Sequence, residues 1–329
     1  MKKTNLCVLF GGKSTEYEIS LRSAFTVLTA VDKKAYNVIT IGITKSGHWY
    51  LYTGAYDKIL DGSWCADNDY LTAALPSVNP GENTIFAIKG DTCEKIAVDV
   101  VFPVMHGAFA EDGTLQGLLE MSGIPFVGAD CASSAVCMDK AFTKQILSTY
   151  NIPQARFEVV HRIELEKNPQ SVMRFIEARF EYPIFIKPSN SGSSVGAAKV
   201  CSSDELVSAL KNAALYDSKI LVEEFVDAQE IEVAVLGNDE LVVSECGEIH
   251  SGSEFYDYDA KYISNVSSYY IPARIDKDTA DKIRLYAEKI YRVLGCSGLS
   301  RADFFVRRGD GAIIFNEINT LPGFTSISM

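Results

Sequence analysis

Apolar runs alternate with polar punctuation along this chain, in two different periods. Residues 5–10 (NLCVLF) form a short apolar run that ends at Gly11-Gly12. Its length and its β-branched and aromatic content predict a buried strand. Tyr36 to Ile43 and Ile96 to Val104 repeat the pattern, with helical stretches between or after them. That is the rhythm of a parallel sheet covered by helices. The first helix is expected from about Thr15, where Thr15 and Glu18 fit the S/T-x-x-E capping box. After Asp130 a further helix places Ala135, Met138, Phe142 and Ile146 on one apolar face and closes at Asn151-Ile152-Pro153.

The chain then changes character. Strand PIFIK (183–187), a Ser- and Gly-rich loop, strand SVGAAKV (194–200), a helix from about Asp204 and strand KILVEEFV (219–226) predict a small α+β unit. A third region begins near Ile231. It carries a helix over roughly 279–294 with Gly295 at the C′ position, and finishes in the hairpin ADFFVRRGDGAIIFNEIN. No internal repeat or low-complexity segment interrupts this order. With 329 residues, two or three domains are expected. The expected division is 1–125, 126–215 and 216–329.

Composition narrows the classes. The chain is 47% apolar and 22% charged, as in ordinary globular proteins. Its 43 acidic and 31 basic side chains give a net charge of −12, which argues against broad nucleic-acid binding but not against one triphosphate held by a few lysines. The eight cysteines show no C-x-x-C spacing, so reduced thiols are expected. The opening MKKTNLCVLFGG has too short an apolar run for a signal peptide or a membrane span. A cytoplasmic protein with no membrane partner is expected.

Five places are candidates for chemistry. Gly12-Lys13-Ser14 imitates the end of a phosphate-binding P-loop, but the glycine that motif needs at position 7 is Cys, so a plain strand–turn–helix junction is expected. Glu16 sits at that helix N-terminus without a capping duty. Lys187 ends a strand ahead of PSNSGSSVG, a loop whose hydroxyls and bare N–H groups suit phosphate oxygens. In the terminal hairpin Asp303 stands on one strand, with Glu317 and Asn319 on one face of the other. Oxygen ligands of this kind suit Mg²⁺ rather than zinc. Asp303 lies opposite Glu317 if paired positions sum to 620, which calls for an odd-length turn such as Gly309-Asp310-Gly311; an even turn sets Asp303 against Asn316. His106-Gly107 and Glu111-Asp112-Gly113 follow the third strand, where loops face ligands. The segment Glu254 to Tyr262 mixes aromatic and charged residues, as a lid does.

Taken together, FGGKSTEYEISLRSA (10–24), HGAFAEDGTLQG (106–117), CMDK (137–140), FIKPSNSGSSVG (185–196), VEEFV…EIEVAVLG (222–237), FYDYDAKY (255–262), SRADFF (300–305) and FNEINTLPGFTSIS (315–328) resemble the D-alanine–D-alanine ligase family. The resemblance spans the whole chain. It implies an α/β and α+β fold: a Rossmann-like N-terminal domain, then a two-part ATP-grasp fold whose final helix the chain lacks. It implies that Glu16 anchors the ammonium of the first D-amino acid in a chain with Ser193 and Tyr262, and that His106 binds substrate. Lys140, Lys187 and Lys261 would hold ATP phosphates; Glu223, Phe225, Val226 and Glu230 would meet adenine and ribose. Asp303, Glu317 and Asn319 would bind Mg²⁺, with two ions and Mn²⁺ able to substitute. Arg301 and the Gly323 N–H would stabilise the oxyanion, and Ser328 and Met329 would grip the second carboxylate. Homodimerisation is implied as well.

The implied reaction is ATP-dependent synthesis of D-alanyl-D-alanine through an acyl-phosphate, for peptidoglycan. STEYEISL and IGITKSGHWY also resemble vancomycin-resistance ligases that make D-alanyl-D-serine, whereas DAKYIS resembles the D-alanine type. Tyr262, where D-lactate-using relatives carry His, disfavours a depsipeptide product. A nucleotide-binding protein without catalysis is the alternative from another class.

Overall fold

The computed structural model describes residues 2–192, 194–250 and 268–325. They fall into two compact units. One comprises the described residues of Met1–Ala135, Cys296–Ser300 and Thr320–Ser328, the other those of Val136–Gly295 and Arg301–Asn319.

The first unit is built on a seven-stranded sheet in the order Thr92–Ala97, Thr84–Lys89, Leu71–Pro76, Trp49–Tyr52, Tyr36–Ile43, Thr4–Gly11, Val100–Val104. Thr4–Gly11 runs parallel to both its neighbours, and the remaining pairs are antiparallel. The central strand alternates its side chains with period two. Cys7 and Leu9 face one cluster, with Leu115 and Leu119 of helix Thr114–Ser122. Leu6, Val8 and Phe10 face another, with Leu21, Ala24 and Leu28 of helix Tyr17–Ala30 and with Trp64.

Two expectations for this unit need correction. The apolar run 96–104 is two strands, because the chain turns at Val98-Asp99, where the Asp99 carboxylate accepts the Asn5 N–H at 2.7 Å. The first helix begins after Glu16, whose side chain makes no cap bond, and the Thr15/Glu18 box does not form; Ser14 Oγ accepts the Glu16 N–H at 3.0 Å, and Glu18 pairs with Lys45.

The second unit holds an antiparallel four-stranded sheet in the order Ala198–Val200, Ile184–Pro188, Lys219–Glu224, Phe157–His161. Its apolar face, with Ile184, Ile186, Ile220 and Val222, packs on Leu206 and Leu210 of helix Ser203–Tyr216. The expected strand 194–200 is only Ala198–Val200, since Ser194 (φ 59°) and Gly196 (φ 76°) take left-handed backbone in the preceding turn. The six-stranded sheet contains Ala228–Gly237 beside Leu299–Arg307, which pairs with Ile313–Asn319. Helix Lys277–Val293 starts at Asp276, whose carboxylate accepts the Thr279 N–H at 2.9 Å.

The expected single helix after Asp130 is two, Cys131–Met138 and Lys140–Ser148. Asp139 is extended (φ −84°, ψ 96°) and caps the second helix by accepting the Ala141 and Phe142 N–H groups. The restart changes the helical phase. Phe142 is turned outward, 49% exposed, under the ammonium of Lys219, while Lys144 is buried completely.

In the terminal hairpin Asp303 does pair with Glu317, but by another device than an odd turn. Val306↔Ile313, Phe305↔Ile314 and Phe304↔Phe315 run one short of the needed sum; a bulge then takes in Asn316, and Asp303↔Glu317, Ala302↔Ile318 and Arg301↔Asn319 follow. No helix among the described residues is long and apolar enough to cross a membrane.

Candidate active site

The second unit gathers charge around the start of helix Lys140–Ser148. Buried Asp139 accepts Ser189 Oγ–H at 2.6 Å and Asn190 Nδ2–H at 3.1 Å, and pairs with Lys219. Burial pushes its carboxyl pKa up, but the bonds from Lys219 and Ser189 outweigh it and hold the group below the ordinary range. With the helix start pinned, Lys140 donates to Ser191 O at 2.9 Å and lies 3.3 Å from Glu317 Oε2. Lys140 thus joins the Ser- and Gly-rich loop to the terminal hairpin.

Glu223 lies between two lysines. Lys187 Nζ is 2.7 Å from Oε2 and Lys144 Nζ is 2.6 Å from Oε1, all three side chains being 10% exposed or less. Burial alone pushes the Glu223 pKa up; the two ammonium groups bring it below the usual carboxylate value. Lys187 also donates to Asn316 Oδ1 at 3.2 Å. The bulge therefore does two things at once: it sets Glu317 opposite Asp303, and it turns the extra residue toward Lys187.

Arg301 clamps Asp303 with both arms, Nε to Oδ1 and Nη2 to Oδ2 at 2.8 Å each, and lies 3.3 Å from Glu232. Burial pushes the Arg301 pKa down, but Asp303 and Glu232 raise it well above its ordinary value, so it stays charged. Asn319 Nδ2 donates to Asp303 Oδ2 at 3.1 Å. Three carboxylates, Glu232, Asp303 and Glu317, meet two cations, Arg301 and Lys140. Their carboxylate oxygens are donors of the kind that suits a hard divalent ion. Among the described residues no group of three or more His, Cys, Asp or Glu is arranged to hold a metal ion by itself.

In the first unit the Glu16 carboxylate, 8% exposed, lies against Gly107, where an added Cβ would meet Glu16 Oε2 at 2.5 Å. Buried His106 has both ring nitrogens engaged. Its Nδ1 is 3.0 Å from Leu321 O, which can only accept, so Nδ1 carries the proton; Nε2 then accepts Ser23 Oγ–H at 3.1 Å. Ser23 Oγ in turn accepts the Phe324 N–H at 3.1 Å, and Glu111 accepts the N–H groups of Gly107 and Leu321. These bonds tie down the backbone on both sides of Gly323. Gly12-Lys13 wraps no phosphate loop: Gly11 ends the strand, and a Cβ there would lie 2.1 Å from Ile43 O.

Phe225 and Val226 are half-buried just beyond Lys219–Glu224, with Lys199 Nζ 4.3 Å from the Phe225 ring centroid. Glu230 pairs across strands with Ile249. Ser193, Lys261, Tyr262, Ser328, Met329 and the lid segment 254–262 lie outside the described residues. Lys144, Asn316, Asp139, Glu232 and Ser23 did not stand out from sequence. Only Lys144 left a usable signal there, its i+4 spacing from Lys140.

Mixed α/β units of this kind, with buried lysines and carboxylates gathered at one strand pair and one helix start, define an ATP-grasp type of protein. Residues 5–129 match the family description "D-ala D-ala ligase N-terminus" and residues 146–329 match "D-ala D-ala ligase C-terminus". The chain belongs to the D-alanine–D-alanine ligase family. It is 49% identical to a D-alanine–D-alanine ligase of Caldicellulosiruptor bescii, over all of this chain and 89% of that one. The VanG D-Ala:D-Ser ligase of Enterococcus faecalis superimposes with a TM-score of 0.90 at 44% identity, covering 100% of this chain and 93% of its own. The D-alanine–D-alanine ligase of Coxiella burnetii gives 0.85 at 31%, covering 100% and 88%. These relatives give the mixed α/β chain its ATP-grasp assignment.

Proposed function

We propose that the chain joins two D-alanines into D-alanyl-D-alanine, using ATP and passing through D-alanyl phosphate. One observation carries the reading: an ion pair and a hydrogen bond link Lys187 to Glu223 and Asn316, and an ion pair links Lys140 to Glu317, with Asp303 opposite Glu317. Such an array suits a triphosphate and its metal. A carboxylate oxygen of the first D-alanine attacks the γ-phosphorus and ADP leaves. The amine of the second D-alanine then attacks the carbonyl carbon, loses a proton, and inorganic phosphate departs. Lys140 and Lys187, with Lys261, hold phosphates; Glu223, Phe225, Val226 and Glu230 receive the nucleoside. Asp303, Glu317 and Asn319 would hold Mg²⁺, which would supply charge neutralisation at the phosphates; two ions, with Mn²⁺ as a substitute, belong to the same reading. Glu16, with Ser193 and Tyr262, anchors the first ammonium, and His106 holds the loop beside it. Arg301 and the Gly323 N–H face the developing oxyanion, each worth ~3 kcal/mol, while Ser328 and Met329 take the second carboxylate.

The wider reading is a cytoplasmic homodimer serving peptidoglycan synthesis. Each chain has a Rossmann-like domain over 1–125 and an ATP-grasp pair over 126–215 and 216–329. The parallel trio around Thr4–Gly11 supports the first of these. The likeness to VanG supports a second reading, D-serine as acceptor. Mass analysis of products from ATP, Mg²⁺ and equimolar D-alanine, D-serine and D-lactate separates the two. D-alanyl-D-alanine as the main product is expected; a predominance of D-alanyl-D-serine overturns the first reading, and no dipeptide overturns both.

A further inference from the structure

Among the described residues of the site, one charged group is wholly buried and has no place in the proposed chemistry. Lys144 is 0% exposed, and its ammonium contacts Glu223 Oε1 at 2.6 Å with the Phe157 ring 5.5 Å away. Glu223 is already paired with Lys187 through its other oxygen. A single carboxylate therefore serves two amino groups, and with both protonated the trio keeps one positive charge.

We infer that Lys144 is a positioning residue for nucleotide binding: it neutralises Glu223, leaving the charge of Lys187 available to a phosphate. Were Lys144 absent, Lys187 and Glu223 would form a neutral pair, and Lys187 would offer a phosphate little attraction. Glu223 and Asn316 together occupy two of the three Lys187 donors and orient its ammonium. Burial depresses the Lys144 pKa, Glu223 opposes that shift, and Lys187 adds to it; the three groups share one electrostatic balance. A buried lysine kept only for packing is a poor choice, because an apolar side chain of similar volume avoids the desolvation cost.

The inference rests on Lys187 as a phosphate ligand, so the test separates the two. MgADP and adenosine are titrated calorimetrically into the full chain, with thermal melts to confirm folding. Lys144→Met is expected to weaken MgADP binding by about tenfold or more while leaving adenosine binding unchanged. Lys144→Gln, which keeps a polar end beside Glu223 but no charge, should show the same selectivity and serves if the methionine variant does not fold. In Lys144→Met/Glu223→Gln, Lys187 is again unpaired in charge, and the ratio of MgADP to adenosine affinity should recover. Parallel loss of adenosine, or no recovery in the double variant, overturns the inference in favour of a structural role. Unchanged MgADP affinity in both Lys144 variants, with a loss in Lys187→Ala, overturns the inference alone. Unchanged affinity in Lys187→Ala overturns the reading of the site.

Discussion

Asp303 stands across from Glu317 because the ladder takes in one extra residue, Asn316, between them and the turn. Asn316 is then free of ladder alternation and accepts a hydrogen bond from Lys187. Asn316→Ala should leave the melting temperature nearly unchanged, since the bulge is a backbone feature. Losing a bond to a charged donor is worth about 1.5 kcal/mol here, so the KM for ATP should rise roughly tenfold. Steady-state kinetics at saturating D-alanine check this, and an unchanged KM would deny Asn316 a part in holding Lys187.

Gly107 has φ +72° and no room for a side chain, since a Cβ would press on Glu16 Oε2 and Ser14 Oγ. Gly107→Ala should destabilise the first unit by ~1–2 kcal/mol through backbone strain alone. It should also displace Glu16, raising the KM for D-alanine more than that for ATP. Thermal melts and paired KM measurements decide the matter; equal changes in both constants would separate Glu16 from D-alanine binding.

Ser23 donates to His106 and accepts from Phe324, so its hydroxyl couples the histidine to the segment that carries Gly323. Ser23→Ala leaves a backbone N–H and an imidazole nitrogen without that partner, at a cost of about 1–3 kcal/mol. With the backbone around Gly323 loosened, turnover should fall about tenfold while MgADP affinity stays constant. Turnover equal to the wild type, measured by phosphate release, would refute this role.

Glu248, almost fully buried, accepts from Arg274 through Nε at 2.9 Å, Nη2 at 2.8 Å and its backbone N–H at 3.0 Å. The Arg274 bonds outweigh burial and hold the carboxyl down to about 2. A carboxyl with a lowered folded-state pKa stabilises fully above its unfolded value, ~4, and loses that stabilisation as pH falls through the folded one. Glu248→Gln should therefore lower the melting temperature at pH 7, and the gap from the wild type should close between pH ~4 and ~2. Arg274 is half exposed, so added salt should narrow the gap at neutral pH as well. A gap independent of pH would mean that charge is not what Glu248 contributes.

How far the sequence could be read differs from element to element. The strand at 5–10 was legible because an unbroken apolar run reports burial on both faces, and the helix 279–294 because its pattern reports one buried face. The long helix after Asp130 was not. Asp139 breaks it through bonds to Ser189, Asn190 and Lys219, all far along the chain, and the shifted phase exchanges Phe142 for Lys144 on the buried side. Spacing paired Asp303 with Glu317 only for an odd turn and with Asn316 for an even one; the bulge that decides between them was invisible because Asn316 carries no local turn signal. Glu18 was misread as a cap because its true partner, Lys45, belongs to a later strand–loop. The pairing of Ser23 with Phe324 joins residues three hundred positions apart, beyond any local pattern.

The central claim, activation of one D-alanine carboxylate by ATP, is tested most directly with D-alanine labelled with ¹⁸O in its carboxyl group. The enzyme is incubated with ATP, Mg²⁺ and the labelled amino acid, and the released inorganic phosphate is analysed by mass spectrometry. One ¹⁸O per phosphate, in step with dipeptide formed, is the predicted result. Unlabelled phosphate released alongside dipeptide would contradict the account.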